Sequence, residues 1–164
     1  MTPAFFVAAL KEEIESAVKD YKMEAENQPE KPVSVYAQHI PDEAFENDTY
    51  YPFVLCTVQK IKDTANEDKA EWEASTVTAG LMVAVYGENR EAWRDLLNLM
   101  EHIRQHLLTK RTVGERHRLI LPISWEVPEV QPYPFWHGYG TLEYTIGQPQ
   151  EGLPLNCQEI MEEE

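Results

Sequence analysis

The chain has 164 residues and a formal net charge of −15 at pH 7, from 29 Asp and Glu against 14 Lys and Arg. With 43% hydrophobic and 26% charged residues it has the composition of a soluble globular protein. One domain of this length buries roughly 70% of the surface that its unfolded form exposes, and the acidity argues against binding a phosphate backbone or an anionic membrane.

The first apolar run, Ala4–Leu10, has no basic segment before it and continues into Lys11-Glu12-Glu13, so neither a signal peptide nor a membrane span is expected. The chain is therefore expected in the cytosol. Thr2 followed by Pro3 predicts a helix start. Phe6, Val7, Leu10, Ile14, Ala17, Val18 and Tyr21 recur at a 3.6-residue period, with Lys11, Glu12, Glu15, Lys19 and Lys22 opposite. The helix must end before the stiff connector Gln28-Pro29-Glu30-Lys31-Pro32.

A short strand is predicted at Val33–Ala37, then a long polar connection, Gln38–Tyr51, partly irregular. Phe53–Lys62 is rich in β-formers and predicts a strand. Asp63–Ala74, with Asp63, Glu67, Asp68, Glu71 and Glu73, reads as an exposed loop joining two antiparallel strands. The second of these, Ser75–Tyr86, is apolar on both faces and predicts a central strand.

Asn89 is the expected N-cap of a second helix running to about Lys110, with Trp93, Leu96, Leu97, Met100, Ile103 and Leu107 as its buried stripe. Strands are predicted at Leu119–Val127 and Trp136–Ile146, where Gly138 and Gly140 allow a bulge or a close approach. No repeat or second domain is evident. The expected organisation is one domain over residues 1–150 and an acidic, flexible tail over residues 151–164. The expected fold class is α+β, two amphipathic helices packed on a mostly antiparallel sheet of about 4–5 strands.

Catalytic and metal signatures are missing from the sequence. His102 and His106 have one-turn spacing, but Ile103-Arg104-Gln105 between them lacks the glutamate of a metalloprotease helix, and both point away from the apolar stripe. His39, His117 and His137 have no evident partners. There is no G-x-S-x-G elbow or glycine-rich phosphate loop. Cys56 lies in an apolar strand and Cys157 in the polar tail, so a buried free thiol and an exposed one are expected. Neither an enzyme nor a bound cofactor or metal is expected.

Two surface features suggest contacts. Arg104 to Arg118 holds five bases, including Arg111, Arg116 and Arg118, against the single acid Glu115. Such a segment either compensates the helix dipole or meets an acidic surface, such as the loop carrying Asp68, Glu71 and Trp72, on another copy of the chain. A head-to-tail contact of that kind closes into a ring. The aromatic run Tyr133-Pro134-Phe135-Trp136-His137-Gly138-Tyr139 either anchors a strand to the core or contributes Phe135 and Trp136 to a subunit interface.

In chain order, Tyr51-Pro52-Phe53-Val54-Leu55, then Thr76–Gly87, Trp93-Arg94-Asp95-Leu96-Leu97-Asn98-Leu99 with Ile103-Arg104, and Pro132-Tyr133-Pro134-Phe135-Trp136-x-Gly138 resemble the tail-terminator (minor tail or tail-completion) proteins of siphophages and related prophages. The resemblance spans roughly residues 1 to 146, and it rests on order and spacing rather than on any one segment. It implies an α+β subunit that forms a homohexameric ring on the tail tube, ends tail polymerisation and offers the surface to which the head attaches. Its implied partners are other copies of itself, the tail tube protein and a head-completion or connector protein, with no sequence-specific nucleic acid and no membrane. Its implied location is the virion tail, after assembly in the host cytoplasm. It implies no catalytic residues. Carboxylates lining the ring would repel DNA passing through it. The acidic Glu159–Glu164 end and the Gln38–Tyr51 stretch depart from the family pattern. A different head–tail connector subunit, or a small binding domain unrelated to phages, remains as the alternative.

Overall fold

The computed structural model describes residues 2–23, 31–64 and 74–148. Helix α1 spans Pro3–Val18, and Thr2 caps it by accepting the Phe5 N–H on Oγ1 at 3.1 Å. Sixteen residues form a marginal helix in isolation, so tertiary burial must stabilise it. Phe6, Leu10 and Ile14 are fully buried, each contributing about 1.5–3 kcal/mol.

Six strands form one sheet: β1 (Ser34–Ala37), β2 (Phe53–Thr64), β3 (Ala74–Tyr86), β4 (Thr112–Val113), β5 (His117–Glu126) and β6 (Phe135–Ile146), in the order β1-β2-β3-β6-β5-β4. This corrects the expected fold class in two ways. The sheet has six strands rather than four or five, and it is mixed, because β1 runs parallel to β2 while every other pair is antiparallel. The parallel pair needs a crossover between its strands, and residues 38–52 supply it. Two 3-10 helices lie in that crossover, Asp42–Glu46 and Asp48–Tyr50, where the sequence shows only a polar connection.

Helix α2 (Trp93–Thr109) and α1 cover one face of the sheet. Alternation along β3 sends Val77, Ala79, Leu81, Val83 and Val85 into this core, where Leu142 and Tyr144 of β6 join them. At Gly138 a Cβ would collide with Met100 Sδ, so the glycine permits the close approach of α2 to β6. The opposite face of β3 supports a second, smaller core. There Ile40, Ala44 and Tyr51 from the crossover meet Phe53 and Ala84, with Phe45, Tyr86 and Phe135 packed around them.

The buried stripe of α2 also differs from expectation. Leu96, Leu99, Met100, Ile103 and Leu107 are buried, but Trp93 and Leu97 are exposed. Leu99 recentres the stripe on its own side of the helix, which turns Trp93 and Leu97 to its solvent margin. Asn89 does not cap the helix. Its Oδ1 accepts the Glu91 N–H in the turn before α2, and Ala92 occupies the cap position without a side-chain bond. The tail over residues 151–164 and the loop over 65–73 lie outside the described residues.

Candidate functional site

The titratable groups of the helix layer work within the fold. His102 Nε2 lies 2.6 Å from the Ala17 carbonyl and His106 Nε2 lies 2.6 Å from Glu13 Oε1, so both histidines tie α2 to α1, His102 staying exposed on its helix face and His106 half-buried. Lys110 Nζ completes the set, donating to Glu13 Oε2 at 2.9 Å. Among the described residues, no group of three or more His, Cys, Asp or Glu could hold a metal ion. Cys56 is a fully buried free thiol, pushed up to about 12 by burial, so it is held protonated and shielded. His137 is buried as well, with Nε2 2.8 Å from the Tyr51 hydroxyl in the second core.

Glu13 gives this layer a pH dependence. Burial alone raises its carboxyl, but the hydrogen bonds from His106 and Lys110 together hold it below its ordinary value of 4.5. A carboxyl depressed in the folded state contributes stability above its unfolded pKa and loses it as pH falls through the folded one. Glu13→Gln is therefore expected to cost about 1–3 kcal/mol at neutral pH. Urea unfolding of both proteins should show that difference shrinking once the pH drops below about 4. A difference that stays constant down to acid pH would show that the charge contributes nothing.

The basic candidates form one exposed corner. Arg116 sits in the tight β4–β5 loop, where Gly114 and Glu115 both take positive φ, while Arg111 precedes β4 and Arg118 lies in β5 opposite Thr112. The Arg111 carbonyl accepts the Leu119 N–H at 2.7 Å. No ion pair holds these three arginines among the described residues. Asp68, Glu71 and Trp72 lie outside the described residues. The strand ends flanking that loop reach the same end of the sheet as the basic corner, on the other side. Lys62 pairs with Thr76 and Thr76 with Thr145, whose Oγ1 accepts the Arg118 N–H at 3.0 Å.

Phe135 and Trp136 sit at the opposite end of β6 and point to opposite faces. Phe135 stacks on Tyr51 with ring centroids 4.8 Å apart. Trp136 packs against the helix-side core and donates its indole N–H to the Gly87 carbonyl at 3.0 Å. Each is half-buried within its own subunit, and the structure brings neither close to the basic corner. The more exposed aromatics nearby are Tyr133, which meets Trp136 edge-to-face, and Trp93, which carries Arg94 over its ring.

Among the described residues the sheet is open along both sides. On one, β1 pairs with β2 only from Phe53 to Cys56. The Gln38 side chain then takes the place of a strand, its Oε1 accepting the Val58 N–H at 2.8 Å and its Nε2 donating to the Val58 carbonyl at 3.3 Å. Past Val58, no strand among the described residues flanks Lys60, Ile61 and Lys62 on that side. On the other, β4 covers only His117 and Arg118, and no strand among the described residues flanks Ile120 to Glu126 on that side. Large apolar side chains are exposed along both margins: Ile61 at 47%, Leu121 at 46% and Val127 at 42%. These edge residues were not singled out in the sequence. The signal was a lone isoleucine between two lysines at a strand end, since charged neighbours commonly guard an edge strand.

Neither the protein-family models nor the curated proteins contain a match to this chain. Among solved structures, a chain of the virion of a native gene transfer agent (GTA) particle matches with a TM-score of 0.48 and 10% identity, over 85% of this chain and 95% of that one.

Proposed function

We propose that this protein is a non-catalytic virion assembly subunit, a tail terminator that closes into a ring on the tail tube, ends its growth and presents the surface to which the head attaches. The observation that carries this reading is a single sheet left open on both sides, because a subunit with two different unpaired edges is suited to head-to-tail association. The resemblance in sequence adds to it, since parts of three of the segments that bear it meet at one end of the sheet. Phe53 pairs with Ala84 and Ala84 with His137, Tyr86 pairs with Phe135, and Tyr51 stacks on Phe135.

In this reading the partners are further copies of the chain, the tail tube protein and a head-completion protein, and the protein works in the virion tail after assembly in the host cytoplasm. The acidic lining suggested by the net charge gains no support on the uncovered sheet face. That face carries Lys60, Lys62 and Arg118 beside Glu126 and Glu143, so carboxylates are not gathered there. Polymerising a tail tube protein with and without this chain tests the role. Added terminator should yield short, capped tubes by electron microscopy, whereas tubes of unchanged length with bare ends would favour another connector role.

A further inference from the structure

We infer that adjacent copies join edge to edge, with β2 of one copy adding to β5 of the next in an antiparallel register that sets Lys60 opposite Glu126. The inference rests on the ring reading above and names the surfaces that would build the ring.

Three observations specify the pairing. The first is strand direction. From β2 through β3 and β6 to β5 every step is antiparallel, so a rotation that repeats the sheet alongside itself brings β2 and β5 together antiparallel. The second is charge. On the uncovered face β2 carries Lys60 and Lys62 and β5 carries Arg118 and Glu126, while Asp63, opposite Ser75, lies on the helix face. The antiparallel register places Lys60 and Lys62 beside Glu126 and leaves Arg118 well beyond the paired stretch.

The third is the fit of this register. It places Ile61 against Trp125 and Lys62 against Ser124. Ile61 pairs with Val77, and Trp125 packs against the helix-side core, so both lie on the helix face. Lys60, opposite Thr78, and Glu126, opposite Tyr139, both lie on the uncovered face. The exposed Ile61 side chain would gain an apolar neighbour. The pairing also stops where it must. β5 ends at Glu126, before Pro128, while on β2 Val58, two positions from Lys60 towards β1 and past Gln59 at the register shift, is already held by Gln38.

The offset suits a closed ring. Lys60 aligns through Thr78 with Glu143, and Glu126 aligns with Tyr139, four positions away on β6. Four strands per copy at about 4.8 Å spacing, shifted by four residues of about 3.4 Å each, give a strand tilt of about 35°, within the range of closed barrels. Main-chain pairing would supply the contact, and the charges would fix its register.

A charge-swap cycle tests this. Lys60→Glu and Glu126→Lys are each expected to weaken self-association by about tenfold or more, and the double variant should return close to the original. Both positions are exposed, and thermal unfolding would confirm that each variant folds. Independently, Lys62→Cys with Ser124→Cys, in a Cys157→Ser background, should give a ladder of disulfide-linked oligomers under mild oxidation. A ring that forms equally well in both single swaps, with no ladder, overturns the edge pairing and leaves the ring reading standing. An unmodified chain that never associates, alone or on tubes, overturns both.

Discussion

Tyr51→Ala is expected to destabilise the protein by about 3–5 kcal/mol. The ring is fully buried, stacks on Phe135, meets Phe53 edge-to-face at 4.9 Å and donates its hydroxyl to the Phe45 carbonyl at 3.1 Å. Removing it opens a cavity and leaves His137 Nε2 without its hydroxyl partner in a buried site. The loss should register locally too, because Tyr51 shares its small core with Ile40 and Ala44 of the crossover. Hydrogen exchange should show the amides of residues 40–50 losing protection more than those of α2. A cost below about 1 kcal/mol with unchanged exchange would mean that the crossover is a loose cover and not a second core.

Phe6→Ala should cost a similar amount, about 3–5 kcal/mol, on the opposite face of the sheet. Phe6 is fully buried, with ring centroids 5.3 Å from His117 and 5.2 Å from Tyr144, so it fastens α1 to β5 and β6. The two sites share no partner, since one lies among the helix-side residues and the other beneath the crossover. Denaturant unfolding of the Phe6→Ala and Tyr51→Ala double variant should therefore return the sum of the single costs within about 0.5 kcal/mol. A large departure from additivity would show that strain passes through the sheet and that the two cores act as one.

Much of the fold was legible because its periodicities are long. The α1 stripe of Phe6, Leu10 and Ile14 and the two-sided apolar character of Ser75–Tyr86 each identify their element and its layer. The parallel pairing of β1 was not legible. Four residues of strand carry no mark of their neighbour, and partner choice depends on contacts distant in sequence. The crossover helices were hidden because Asp42–Glu46 bury a single side chain, Ala44, in a segment that is otherwise polar. Trp93 was misplaced because a helical period fixes spacing better than phase, and Leu99 moves the centre of the stripe.

The candidate contacts were legible only in part. Clustering of Arg111, Arg116 and Arg118 follows from chain proximity, and the structure gathers them around one tight loop. Phe135 and Trp136 are adjacent in sequence, yet strand alternation sends them to different cores. Lys60 and Glu126 are 66 positions apart and lie on opposite sides of the sheet, so nothing local connects them until the strand order is known.

Ring formation is read directly from the solution mass of the purified protein by light scattering, alone and after adding tail-tube subunits. A ring-forming subunit should give a closed oligomer, six subunits as the sequence resemblance implies, either free or appearing once tubes are present. A chain that stays at its monomer mass of 19.0 kDa and ignores the tubes would contradict it.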